Sequence, residues 1–478
     1  MEVLSKHIKY YNSYSPNILY WGLGIENELY LEFTNTYSIK KNTFLKNHKR
    51  ERYSIDYYTN YNMILLKEAF EYIENTILKN ETNIMIPILM NCHSFTRTDK
   101  NNNSMTLYTK LCETNPKFSG IVLTDYVFKN STYINDNYNK NFIYEGDVIE
   151  IITLEFFNTT LDCVIKELEE SKAKFIHNLQ DVFSKNNIFI EYGIVNYMKE
   201  NYPFAIYLTN INNISMFNNG TLHFNITLPT LLNNTSIIQD NTKFIKEHMN
   251  YIRYIQYIEP LLLCMYGTPD PFSYIKMKNF KNSMMFSSCS QRCAISRYIG
   301  LGTYDTDTMI PGKLLTSPIN TFKIATEDYG WYNKYYKNCA YTKLDELGYD
   351  INFNKHYNHG IEIRFFDHIS DINNINKVLE FLIYLGDFSL NSNTISNPIN
   401  DIEWNNIIID CMRYGSELEL NKYIEMYNKI FNYMFTSKTI CDLYEEMYQM
   451  LKTKSKENNM FSKYIMNDRN INMEYCYI

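Results

Sequence analysis

The chain has 478 residues, with 46 Lys and Arg against 53 Asp and Glu, a formal net charge of −7. That length can bury a large core in one to three domains, and a hydrophobic content of 45% excludes a disordered chain. The acidic balance argues against a general nucleic-acid binder, which needs a basic face for phosphates, though it leaves room for a local basic pocket.

Along the chain, the segment up to about residue 20 is polar. Tyr20 to Phe33 alternates apolar and polar residues, the signature of a half-buried strand. Residues 62–79 carry apolar positions at helical spacing. Thr82 to Met90 and Phe118 to Phe128 read as strands, and Ile143 to Thr153 as a further one. A helix is expected from Leu161 to Lys172. Thr221 to Leu228 alternates again. Thr242 to Cys264 reads as a long helix stopped by Gly267-Thr268-Pro269, and Ile361 to Phe366 as a third clear alternating strand. From about residue 371 the pattern turns helical. The expectation is an α+β body over residues 1–370 and a helical C-terminal region over 371–478. Packing of those C-terminal helices on the body and self-association through them are both open.

Several features carry little functional weight. The abundance of Tyr (44) and Phe (28) over Gly (15) and Pro (11), with frequent Asn, is what AT-rich coding produces. The ten cysteines are scattered, and the nearest pair, Cys289 and Cys293, is four apart, which matches neither a redox pair nor a zinc ribbon. Met1 to Pro16 lacks the apolar core of a signal peptide. The most apolar run, Pro260 to Tyr266, is far short of the roughly 20 residues that span a bilayer. A cytoplasmic chain with free thiols and no membrane or nucleic-acid partner is expected.

Chemistry concentrates in the three alternating strands. Residues i and i+2 of a strand share a face. The first strand places Ile25, Asn27, Leu29, Leu31 and Phe33 on one side and Glu26, Glu28, Tyr30 and Glu32 on the other. The second opposes Leu222, Phe224, Ile226 and Leu228 to Thr221, His223, Asn225 and Thr227. The third opposes Ile361, Ile363 and Phe365 to Glu362 and Arg364. Alternation alone also describes a sheet with one wet face. Carboxylates and an imidazole on converging faces, however, form a site for Mg²⁺ or Mn²⁺. An Arg beside a ligand carboxylate can clamp a phosphate on that metal. No glycine-rich phosphate loop is present, so a nucleotide would have to be held on a sheet.

Gly24-Ile25-Glu26-Asn27-Glu28 resembles the opening G-x-E-x-E strand of the carboxylate–amine ligases, the amidoligases with the glutamine synthetase and glutamate–cysteine ligase fold. His223-Phe224-Asn225 resembles their H-x-[HN] strand, and Gly360-Ile361-Glu362-Ile363-Arg364 their closing E-x-R strand. The motifs occur in family order and span residues 24 to 367.

The resemblance implies a curved, mainly antiparallel sheet forming a funnel-like half-barrel with helices on its outer face. It implies ATP and Mg²⁺ or Mn²⁺ as cofactors, and an acid and an amine as substrates. Glu26, His223 and Glu362 would hold one metal, and Glu28 a second. Glu150, in Glu150-Ile151-Ile152-Thr153, matches a further metal position, with Glu155 as a rival. Asp125 loosely matches an upstream strand that touches substrate. Arg364 would stabilise the phosphoryl group in flight. Arg292 and Arg297 are candidates for nucleotide phosphates or a substrate carboxylate. Asn225 stands where some relatives have a second His and would bond a nucleotide or a metal-bound water. Guanidino kinases share the fold and are the alternative enzyme; a catalytically inactive scaffold is the non-enzymatic one.

Overall fold

The computed structural model describes residues 19–40, 83–89, 123–145, 148–154, 156–185, 188–199, 220–233, 238–268, 289–290, 303–313, 350–354, 360–458 and 461–466. In chain order, strands β1 (Leu19–Leu29), β2 (Leu31–Lys40) and β3 (Asn83–Leu89) lead into two short helices, α1 (Leu123–Asn130) and α2 (Thr132–Asn137). The hairpin β4 (Phe142–Glu145) and β5 (Val148–Ile152) follows, then α3 (Leu161–Ser184), α4 (Ile188–Tyr192) and β6 (Val195–Tyr197). Next come β7 (Leu222–Leu231), α5 (Asn241–Tyr266), β8 (Thr303–Asp305), β9 (Ile310–Lys313), β10 (Ile351–Phe353) and β11 (Ile361–Phe366). Helices α6 (Ile372–Asn391), α7 (Ile402–Tyr414), α8 (Ile424–Phe431), α9 (Ile440–Asn458) and α10 (Ser462–Ile465) complete the described chain.

The fold is a mixed α+β one. Its main sheet has six strands in the order β10-β11-β7-β1-β5-β4, with every neighbouring pair antiparallel. The sheet is open, edged by β10 and β4. The three strands singled out by alternation, β1, β7 and β11, are adjacent at its centre. Their apolar sides, with Ile25, Phe224, Ile226, Ile361 and Ile363 at 1% exposure or less, belong to one continuous core. Helices α3 and α5 pack on the sheet, and α6 packs on α5.

Helix α5 explains why the core holds together. Asp240 caps its start, accepting from the Lys243 N–H at 2.9 Å. Tyr251, Ile252, Tyr254, Ile255, Ile258 and Leu261 are all buried, so the helix is apolar on nearly every side and needs cover all round. The sheet provides part of that cover, and α6, α7 and α9 also pack on it. Tyr251 donates to the Leu382 carbonyl at 2.7 Å, and Trp404 to that of Gln256 at 2.6 Å. His248, with burial lowering its pKa to about 4, is a neutral link to β7. Its Nδ1–H donates to the Phe244 carbonyl at 2.8 Å, and its Nε2 accepts from the Leu228 N–H at 3.0 Å. No helix among the described residues is long and apolar enough to cross a membrane.

Four sequence expectations change. Tyr20 to Phe33 is not one strand. The chain breaks at Tyr30, whose carbonyl accepts from the Met198 N–H at 2.9 Å, and β2 enters a second sheet, β3-β2-β6. Glu32 therefore leaves the face of Glu26 and Glu28. Ile143 to Thr153 is a hairpin rather than one strand, with Glu145 opposite Val148. The helix from Leu161 runs on to Ser184, because Phe175, Leu179 and Val182 continue its buried stripe. The stretch expected as a strand at Phe118 to Phe128 is helical from Leu123, so Asp125 lies on α1. A short apolar run does not by itself separate strand from helix, and burial of Val127 and Ile134 fixes the helical pair. The helix expected at 62–79 lies outside the described residues.

Two glycines of the motifs have steric reasons. A Cβ at Gly24 would lie 2.0 Å from the Phe156 ring, which covers β1 there. Gly360 has φ +69°, and a Cβ on it would come within 2.5 Å of the Ile226 carbonyl oxygen. Gly360 thus lets β11 start close against β7.

Candidate metal centre

Pairing registers bring the polar sides of four strands together. Glu26 lies opposite His223, Glu28 opposite Glu150, and Glu362 opposite Asn225. All six are buried, none more than 8% exposed. One oxygen each of Glu26 and Glu362 and one ring nitrogen of His223 lie within 4.8 Å of one another. His223 Nδ1 is 3.3 Å from Glu26 Oε2 and 3.5 Å from Glu362 Oε1.

Neighbours hold these side chains in place. Asn225 donates to Glu26 Oε1 at 3.3 Å, and Asn352 to Glu362 Oε2 at 2.7 Å. Arg364 Nη1 donates to Glu362 Oε1 at 2.6 Å. Burial opposes the Arg364 charge, but Glu362, Glu26 and Glu28 outweigh it and push its pKa up, so the guanidinium stays charged.

Thr221 sets the state of His223. Its hydroxyl lies 2.8 Å from Glu28 Oε2 and 3.0 Å from His223 Nε2. With Glu28 ionised, and so only able to accept, the single hydroxyl proton goes to Glu28. The Thr221 oxygen then accepts from His223 Nε2–H. A neutral His223 consequently carries its lone pair on Nδ1, aimed at Glu26 and Glu362. That meeting of two carboxylate oxygens and a ring nitrogen can hold a cation or share a proton. Glu28 and Glu150 face each other across β1 and β5.

The donor set fits a hard divalent cation with oxygen and imidazole ligands. Two further atoms fit the same reading. Asn225 Oδ1 is a buried acceptor without a hydrogen-bond partner, and Arg364 Nε a buried donor without one. The first suits a metal-bound water, and the second an anion bearing on the metal.

Of the residues proposed from sequence, Glu26, Glu28, Glu150, His223, Asn225, Glu362 and Arg364 thus share one face. Asp125 lies on α1 and not on the strand expected of it. Arg292 and Arg297 lie outside the described residues, as does Glu155. Thr221 and Asn352 carry no role in the sequence reading. Thr221 was visible two positions before His223 on the same face, whereas nothing in Ile351-Asn352-Phe353 signals Asn352.

Thr221→Val preserves shape and removes the group that orients His223. Such outer partners of a metal ligand are worth about 10–100-fold in affinity. Calorimetric titration with Mn²⁺ is expected to show that loss; unchanged affinity would remove Thr221 from the centre.

No family model matches the chain, and no solved structure does. It is 34% identical over 414 residues to a protein of Acanthamoeba polyphaga mimivirus that bears the name "Uncharacterized protein R704". The alignment covers 87% of this chain and 71% of the mimivirus protein. With that identity sustained across most of both sequences, the chain belongs to the family of this mimivirus protein.

Proposed function

We propose that the chain is an ATP-dependent carboxylate–amine ligase, with ATP and Mg²⁺ or Mn²⁺ bound on the polar face of the main sheet. The observation that carries this reading is the buried Glu26–His223–Glu362 group with Arg364 hydrogen-bonded to Glu362. In this reading the open sheet is one wall of a funnel, with ATP entering one mouth and the acid and amine the other. In that reaction a substrate carboxylate would attack the ATP γ-phosphate, breaking the β–γ bridge and releasing ADP to leave an acyl phosphate; the amine would then displace inorganic phosphate from the acyl carbon and lose a proton to form the amide.

The bound metals would spread the charge of the phosphates. The protein's own residues position and polarise. Glu26, His223 and Glu362 fix one cation, and Glu28 with Glu150 a second. Arg364 aims its remaining donors at the phosphoryl group during transfer, where directed charge lowers the barrier most. Asn225 orients a water or nucleotide oxygen through its spare acceptor. The burial of this face excludes bulk water and strengthens each of these interactions.

One observation favours guanidino-kinase chemistry as a second reading. Glu28 and Glu150, directly opposed, match a guanidinium as well as a metal. A screen of amino acids, amines and guanidino compounds with ATP, read by mass spectrometry, separates the two. Ligase chemistry gives amide and free phosphate. Kinase chemistry gives a phosphoguanidine without phosphate release. Absence of any Mg²⁺-dependent ATP binding would overturn both and favour a scaffold.

A further inference from the structure

A cavity of about 430 Å³ shares no residue with the candidate metal centre, although Leu29 in its lining follows Glu28 on β1. Its lining includes Leu29, Lys172, Tyr197, Lys199, His368 and Asp371. These come from the end of β1, from α3, from the end of β6, and from the link between β11 and α6. The volume falls in the lower range of small-molecule sites.

His368 is the unusual member. It is 8% exposed; neither ring nitrogen makes a hydrogen bond of good geometry, and the Lys199 backbone bears on the ring. Buried polar groups in folded proteins nearly always find well-formed partners, so the ring has hydrogen-bonding capacity left for something that enters the cavity. Burial first, and the Lys172 charge second, lower its pKa to about 4, with the Lys199 backbone pulling weakly the other way.

The surrounding charges identify the visitor. Lys172 is itself lowered by burial, with Glu169 opposing, and its ammonium stands 5.5 Å from the centre of the Tyr197 ring. Lys199 adds a second ammonium at the exposed rim. Asp371 is the one carboxylate in the lining. Its Oδ1 caps α6 instead, accepting from Asn373 N at 2.9 Å and Nδ2 at 3.1 Å. The start of that 20-residue helix adds a further positive end. An anion entering here would complete His368 and relieve the crowding of positive charge.

We propose that this cavity binds a small organic anion, its carboxylate or phosphate held by His368, Lys172 and Lys199 and its apolar part set against Leu29 and Tyr197. The proposal stands apart from the ligase reading.

Titration of the full-length chain with benzoate and with phenyl phosphate, followed by ligand-observed NMR, tests it and distinguishes the two anion classes. At least one probe is expected to bind saturably. Lys172→Met, His368→Leu and the surface change Lys199→Met should each weaken it by about tenfold, the scale of one charge-assisted hydrogen bond. Glu362→Gln should leave it unchanged. Three results overturn the proposal: no saturable binding of either probe, binding indifferent to all three cavity substitutions, or binding lost in Glu362→Gln alone.

Discussion

Under the proposed ligase reading, Arg364→Met is expected to reduce ATP turnover about 10²–10³-fold while the chain stays folded, the scale of losing one directed charge stabiliser. Methionine keeps most of the length and apolar stem, so strand β11 keeps its packing. Glu362 keeps its 2.7 Å bond from Asn352 and remains available to a cation. The lost element is the charge beside the metal centre and the donor at Nε. Glu362→Ala is a poorer probe of chemistry. It leaves Arg364 as a charge without its 2.6 Å partner, and breaking a buried pair on one side costs about 3–5 kcal/mol. Glu362→Gln avoids most of that cost. Steady-state phosphate release, with thermal melting as the folding control, checks the Arg364 expectation. Turnover within a few-fold of the parent would show that Arg364 does not act on the phosphoryl group.

The second large effect is structural. Asp387 on α6 is fully buried and ties α6 to the end of α9 and the start of α10. Its carboxylate accepts from the hydroxyls of Ser455 and Ser462 and from the Phe461 and Ser462 N–H groups. The two serine oxygens also lie 2.7 Å apart. Asp387→Leu removes the one acceptor on which all these donors converge. Each stranded buried donor costs about 1–3 kcal/mol, so a loss of roughly 3–5 kcal/mol is expected, read as a lower urea midpoint. Ser455→Ala, which deletes a donor together with its need, should cost far less. Equal losses in the two variants would contradict the role assigned to Asp387.

The site was more legible in the sequence than the path of the chain around it. Period-two alternation placed Glu26 with Glu28, His223 with Asn225, and Glu362 with Arg364, because a strand allows only two faces. The pairing of those faces needed tertiary registers, which alternation within a strand does not contain. The break at Tyr30 was hidden because apolar–polar alternation continues through it into Leu31 and Phe33, although they serve a different sheet. The hairpin between β4 and β5 did carry a signal, Gly146-Asp147 between two apolar runs, which the reading as a single strand passed over. Asp125 misled for the opposite reason: Ile121-Val122-Leu123 is too short to show which period it follows. Asn352 was invisible, since its role depends only on lying opposite Glu362.

The central claim is that Glu26, His223 and Glu362 hold a divalent cation. Calorimetric titration of Mn²⁺ into the full-length chain at neutral pH, repeated with Glu26→Gln and Glu362→Gln, tests it most directly. The account predicts saturable binding that is lost, or weakened by at least about tenfold, in both variants. A parent chain that takes up neither Mn²⁺ nor Mg²⁺, or variants that bind as tightly as the parent, would contradict it.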